Sequence, residues 1–131
     1  MNFKKIAISP FSAKMTLGLE LGYTKKRIKK EEVIKYLQEY QEKLINDKNL
    51  VLSVSVTESI IVLSGQVEPH LQLNFINYPK FQLEENILKI EIENLTRSIM
   101  QRFEQNRVVI EYLNETIMFE DRELIDPRIK K

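Results

Sequence analysis

The chain has 131 residues, of which 43% are apolar and 30% charged, and this is the size and balance of one folded domain that buries its own core. It contains no cysteine, which excludes disulfides, thiolate metal sites and cysteine nucleophiles. The net charge of +1 gives no overall attraction to nucleic acid or to a membrane surface. No apolar run is long enough for a signal peptide or a membrane span. We therefore expect a cytoplasmic protein.

The first half of the chain predicts two strands and one helix. Residues 3–8 and 15–23 have strand character, the second because leucines alternate there with smaller or polar residues. Gly18 and Gly22 lie on one face of that strand and leave space for a backbone, a ligand or a bulge. Residues 31–46 carry apolar side chains at steps of three and four, which predicts an amphipathic helix.

The second half predicts further strands around a longer helix. Strands are expected at 50–56, 59–64 and 70–76, then a helix over 83–104, and then either one strand or a hairpin over 108–120. Helices inserted between strands favour an α+β fold, a ferredoxin-like split β-α-β sandwich. Its single mixed or antiparallel sheet would carry both helices on one face.

Residues 1–120 are expected to form this one domain, and the charged residues 121–131 a loose C-terminal tail or one draped on a partner. The helix over 83–104 is apolar over a wide arc, so it is expected to pack on the sheet and on a second subunit. Exposed edge strands would also invite pairing between copies. The sequence therefore predicts a homo-oligomer.

The inventory of catalytic side chains is small. His70 is the only histidine, and neither a G-x-S-x-G elbow nor a glycine-rich phosphate loop is present. No spacing of ligands indicates a metal, and no motif calls for a cofactor. A small tautomerase-like enzyme would lack its usual N-terminal proline, because Asn2 follows Met1. These features favour a protein that is not an enzyme.

Polar residues precede two strands that one helical crossover joins. Because such a crossover brings the beginnings of parallel strands to the same edge of a sheet, Glu68 and His70 are expected near Gln105 and Arg107. The planar guanidinium of Arg107 matches a carboxylate or a phosphate and would hold an anion. The alternative is a surface ion pair between Glu68 and Arg107, with His70 merely opening a strand.

A second polar segment leads into the later helix. Asn77, Tyr78 and Lys80 lie just ahead of a helix start, where free N–H groups attract anions. The alternative is a turn in which the tyrosine packs on the proline that follows it.

A basic run precedes the first helix. Three interpretations remain open: a solvated loop, a contact with nucleic acid, or a surface for an acidic protein or an anionic ligand. Nucleic-acid-binding segments usually interleave aromatic side chains, and only Tyr23 adjoins this run. The basic residues are Lys25, Lys26, Arg27, Lys29 and Lys30.

The sequence thus predicts a non-catalytic binding domain that self-associates and binds a protein or a small anionic, nucleotide-like ligand. The composition resembles translation of AT-rich DNA, which extends the hypothesis to a phage or mobile-element accessory protein that sequesters a host molecule. Nucleic-acid binding through the basic run is the first alternative, and a tautomerase-like enzyme is the second.

Overall fold

The structure is a computed structural model, of which we describe residues 1–130. Five strands form one antiparallel sheet in the order β2-β3-β1-β4-β5. This is the ferredoxin-like α+β fold that the sequence predicts, with β5 added at one edge. The elements are β1 (Ser12–Gly18), α1 (Lys30–Lys48), β2 (Val54–Leu63), β3 (Gln66–Ile76), a short 3-10 helix (Pro79–Phe81), α2 (Glu85–Arg102), β4 (Arg107–Tyr112) and β5 (Thr116–Glu120).

The core lies between the helices and one face of the sheet. Met15, in the central strand, aligns with Leu73 on one side and with Ile110 on the other, and all three side chains are fully buried. Leu37 of α1 and Ile92 of α2 belong to the same apolar cluster. Burying one such side chain contributes about 1.5–3 kcal/mol, so this layer holds the strand ends in place for the site described below.

The two helices run antiparallel and contact each other at both ends. Near the start of α1, the Tyr36 hydroxyl hydrogen-bonds the Ser98 hydroxyl of α2, and the Tyr36 ring packs edge-on against Phe103. Near the end of α1, Lys48 Nζ lies 2.9 Å from the buried carboxylate of Glu91. No helix within residues 1–130 is both long and apolar enough to cross a membrane.

Two strand predictions are wrong. Residues 3–8 form no strand, because they pair with nothing in the described chain and are almost all exposed. The first strand is β1, which overlaps the predicted strand 15–23 but begins at Ser12 and ends at Gly18. The predicted strands 50–56 and 59–64 are replaced by one continuous strand, β2, which begins only at Val54 and pairs with β3 without a break until the turn at Ser64. The choice left open over 108–120 is resolved as the hairpin of β4 and β5.

The sequence predicted a loose C-terminal tail over residues 121–131, but residues 121–130 are bonded to the rest of the domain, and residue 131 lies outside the described residues. Residues 121–130, here called the C-terminal strap, run back across the end of the sheet. Their main chain bonds the Asn106 side chain, Arg128 bonds Glu20, and Lys130 bonds Ser64. The sequence concealed this because the strap is held by polar groups that come from distant parts of the chain.

Candidate functional site

Gly18 lies at the end of β1, where the beginnings of β3 and β4 meet. It is paired in register with His70. A Cβ atom on Gly18 would lie 3.0 Å from Oε1 of Gln105 and 3.1 Å from Oε1 of Glu68. The absent side chain therefore leaves the space that these two polar side chains occupy.

Two buried carboxyl groups lie side by side at this edge and are here called the acid cluster, Glu20 and Glu68. They are only 2% and 6% exposed. Glu20 accepts a hydrogen bond of 2.7 Å from Nη2 of Arg128, and Glu68 accepts one of 2.8 Å from Gln66. Burial, together with the neighbouring Glu20, raises the pKa of Glu68 to about 7. Glu68 therefore takes up a proton far more readily than an exposed glutamate does.

His70 lies directly beside Glu68. Its Nδ1 is 3.0 Å from the main-chain oxygen of Glu68, and its Nε2 is 3.4 Å from Oε2 of the same residue. Burial lowers the pKa of His70, which keeps the ring neutral at pH 7. The Nδ1 contact to a carbonyl assigns the proton to Nδ1 and leaves Nε2 as an acceptor that faces the carboxyl group. The pair can therefore hold or accept a proton.

Gln105 separates the acid cluster from an open groove. Its Nε2 donates to the main-chain oxygens of Glu20, at 2.8 Å, and of Phe103, at 3.0 Å. The groove lies between α2 and β5 and has a volume of about 630 Å³, within the usual range for small-ligand sites. Met100 and Phe119 line it, and the Arg97 guanidinium stacks 4.7 Å above the Phe119 ring. One groove wall is thus shared with the acid cluster.

Arg107 begins β4 at the same end of the sheet, but its guanidinium points to other groups. Its Nε lies 2.6 Å from Glu120, and its Nη1 donates to the Tyr23 hydroxyl at 3.0 Å. Its Nη2 donates to main-chain oxygens of the strap at Arg122 and Glu123. The structure therefore gathers Glu68, His70 and Gln105, whereas anion binding by Arg107 stays a prediction.

The second predicted segment lies at the opposite end of β3. Both amide atoms of Asn77 bond the main chain of Leu83, at 2.8 and 2.9 Å. Tyr78 stacks on Phe81, with ring centroids 6.0 Å apart, and Lys80 is exposed. These three residues do not join the acid cluster, and their ligand-binding role is an untested prediction.

The basic run lies between β1 and α1, with Lys30 as the first residue of α1, and is anchored by Ile28, which is buried among its charged neighbours. The main chains of Arg27 and Glu20 form an isolated antiparallel β-bridge. Nη1 of Arg27 also lies 4.0 Å from the carboxylate of Glu20. Lys30 pairs with Glu58 at 2.9 Å. Two of the five positive charges thus have acidic partners, while Lys25, Lys26 and Lys29 are exposed. Nucleic-acid binding by this run stays a prediction.

Sequence reasoning missed Glu20 and Arg128. The sequence contains one indication for Glu20, which is that it shares a face of the predicted strand with Gly18 and Gly22. A carboxylate on such a face is normally expected to be exposed to solvent. Arg128 had none, since its partner lies 108 residues away. In the described part of the chain, no three histidine or acidic side chains come together as a metal site.

No protein-family model and no curated protein matches this chain. Two solved structures of a phage S-adenosylmethionine lyase do match it. The apo structure is 16% identical with a TM-score of 0.71, and the complex with S-methyl-5′-thioadenosine is 17% identical with a TM-score of 0.68. Each match covers 95% of this chain and 100% of the other. At this level of identity, the likeness shows that the chain shares the ferredoxin-like α+β fold of these enzymes.

Proposed function

We propose that this chain binds S-adenosylmethionine or a similar adenosyl sulfonium compound, with the sulfonium beside the acid cluster. The observation that carries the proposal is the pair of buried carboxyl groups, Glu20 and Glu68. Buried carboxylates are costly unless a positive charge compensates them, and they therefore favour a cationic ligand. The proposal keeps the small ligand that the sequence predicts but reverses the sign of its charge.

The groove between α2 and β5 suits the nucleoside part of such a ligand. Its apolar wall, Met100 and Phe119, offers a surface for the face of an adenine ring, and Arg97 adds a planar cation that can stack. Gln105 borders both the groove and the acid cluster, so a ligand that passes over it would reach both. The solved complex of the same fold with S-methyl-5′-thioadenosine supports this choice of ligand class.

A second candidate function is lyase activity on the same compound, and the Glu68–His70 pair favours it. In an elimination, a base takes a proton from the carbon next to the sulfur-bearing carbon of the amino-acid side chain, and the electrons of that C–H bond form a C=C double bond. The carbon–sulfur bond breaks, sulfur takes its electron pair, and S-methyl-5′-thioadenosine leaves. The positive charge disappears in that step, so a carboxylate that only binds the cation would stabilise the ground state more than the transition state. Chemistry by elimination needs a base instead, and the neutral His70, whose unprotonated Nε2 lies 3.4 Å from the Glu68 carboxyl group, is the group placed to accept a proton.

The test compares three ligands by calorimetry. S-Adenosylmethionine carries the positive charge, whereas S-adenosylhomocysteine and S-methyl-5′-thioadenosine are neutral at sulfur. We expect the sulfonium compound to bind at least about tenfold more tightly, a difference of about 1.4 kcal/mol. The variant Glu68→Gln should lose that preference, and the exposed control Glu84→Gln should keep it. Equal affinities for the three ligands would refute the proposal.

Product analysis separates a binder from a lyase. Incubated S-adenosylmethionine should be recovered intact if the chain only binds it, and should yield S-methyl-5′-thioadenosine if the chain is a lyase. In the second case, His70→Gln should remove the product while leaving binding of the ligand in place, because the amide cannot act as a base.

A further inference from the structure

The C-terminal strap lies over the acid cluster and places a cation against it. Arg128 Nη2 is 2.7 Å from Glu20 and 2.7 Å from Asp126. Asp126 is 3% exposed and orients the guanidinium from within the strap, with further contacts of 3.1 and 3.2 Å to Arg128 Nε. The positive charge of Arg128 thus occupies the position beside Glu20 that the proposed function gives to a ligand.

The strap is held almost entirely by polar contacts. Asn106 bonds the main chain at Arg122 and Leu124, and Ser64 bonds the main chain of Lys130 at the far end. Two of its three larger apolar side chains are exposed, Leu124 at 57% and Ile125 at 38%, and the third, Ile129, is partly buried but does not pack on the core cluster. A segment with few buried apolar contacts opens at low free-energy cost, so the strap can detach while the core stays folded.

Gly65, in the turn between β2 and β3, shows how closely the strap lies against the domain. A Cβ atom on this residue would overlap the main-chain oxygen of Arg128. The backbone of Gly65 is not in the left-handed region, so alanine is acceptable there apart from this overlap. Gly65→Ala therefore displaces the strap without changing any charged group.

We propose that Arg128 is a built-in competitor for the cation position beside Glu20, and that the strap detaches when a cationic ligand binds. The identity of the ligand rests on the function proposed above, whereas the competition rests on the contacts of Arg128. Release of the strap would expose Glu20 and Glu68 and open the acid cluster towards the groove through Gln105. The observed affinity for the ligand then depends on how much more strongly the ligand cation interacts with these carboxylates than the Arg128 guanidinium does.

The first experiment needs no ligand. A protease that cuts after glutamate is applied to the native full chain, and release of the fragment that begins at Leu124 is followed by mass spectrometry. Cutting tracks the open population of the strap, and we expect Arg128→Gln and Gly65→Ala to be cut at least about fivefold faster than wild type. Lys130→Gln removes one exposed positive charge from the same strap and should be cut at the wild-type rate.

The second experiment adds ligand to the same proteins. S-Adenosylmethionine should accelerate cutting of the wild type, whereas neutral S-methyl-5′-thioadenosine should not. Calorimetry should show that both strap variants bind the sulfonium compound several-fold more tightly than wild type, while Lys130→Gln does not. Circular dichroism and thermal unfolding establish that each variant is folded.

The outcomes separate the two proposals. If both strap variants are cut as slowly as Lys130→Gln, the strap is not held by Arg128 and the inference fails whatever the ligand. If they are cut faster but bind the sulfonium compound no more tightly than a binding-competent wild type, competition is refuted while the proposed function stands. If wild type and variants all fail to bind it, both the competition and the proposed function are refuted.

Discussion

The two ends of β3 differ in where their polar groups find partners. At its beginning, Glu68 lies beside Glu20 from the segment after β1 and near Arg128 of the strap, and Gln105 from the segment before β4 lies with it next to Gly18. At its end, the Asn77 side chain makes two bonds, both to the main chain of Leu83, six residues along the chain. The polar groups at the first end include buried carboxyl groups whose partners come from distant parts of the fold. At the second end, the polar side chain is hydrogen-bonded within a single turn. Polar residues that a local turn can satisfy are thus poor indicators of a site, and buried carboxylates held by distant segments are better ones.

The largest expected effect is the difference in stability loss between two asparagines. Asn106 lies at the same sheet edge as the beginning of β3, and Asn77 follows its end. Asn106 is 7% exposed and bonds Tyr23 and three main-chain groups of the strap, so Asn106→Ala should lower the free energy of unfolding by about 2–3 kcal/mol. Asn77→Ala removes two bonds within a turn and should cost about 1 kcal/mol. Urea denaturation measures both, and equal losses would remove the distinction between the two ends.

The pH dependence of stability tests the buried carboxyl group. Because the pKa of Glu68 is raised from 4.5 to about 7, the folded protein binds more protons than the unfolded chain between these values. The contribution of Glu68 to stability is therefore full below about pH 4.5 and is lost as the pH rises through about 7. Glu68→Gln should remove this contribution, and Glu84→Gln should retain it.

Because His70 also changes the stability with pH, the effect of Glu68 has to be taken from the difference between wild type and the Glu68→Gln variant. Burial lowers its pKa from 6.5, so its contribution has the opposite sign and is lost as the pH falls below that value. Asp126, with a pKa lowered from 3.8 mainly by the hydrogen bond from Arg128, acts in that same direction only in stronger acid. The difference between the urea midpoints of wild type and Glu68→Gln isolates Glu68. A difference that is constant from about pH 4.5 to 7 would contradict the raised pKa.

A smaller effect is expected for Arg107→Lys. Lysine can keep the ion pair with Glu120 but cannot also reach Tyr23 and the two strap carbonyls, so the loss should be about 1 kcal/mol. Arg122→Lys is the control, because that side chain is largely exposed and its ion pair is a long one, 3.9 Å, to exposed Asp121. If Arg107→Lys costs no more than this control, Arg107 does not hold the strap.

The smallest effect is expected at the far end of β3. Lys80→Ala removes an exposed side chain from the short 3-10 helix and should change the free energy of unfolding by less than about 0.5 kcal/mol. Binding of S-adenosylmethionine should also be unchanged. A clear loss of binding would return this segment to consideration as part of the site.

Periodic patterns in the sequence predicted the fold class and both helices, since alternation and three-to-four spacing are local consequences of strand and helix geometry. These patterns gave wrong strand boundaries where pairing with another strand decides whether a segment becomes a strand. Residues 3–8 have strand composition but no strand partner among residues 1–130, and β2 continues through Thr57 and Glu58 because β3 pairs with it there.

The sequence also predicted that Glu68, His70 and Gln105 lie near one another, because a crossover between parallel strands places the beginnings of these strands at one edge of the sheet. Only the tertiary structure added Glu20 and Arg128 and turned the guanidinium of Arg107 towards β5. The physical reason is that a strand pattern states which residues share a face but not which distant charge compensates a buried one. That partner is selected by packing, which brought residue 128 to residue 20 across 108 positions of the chain.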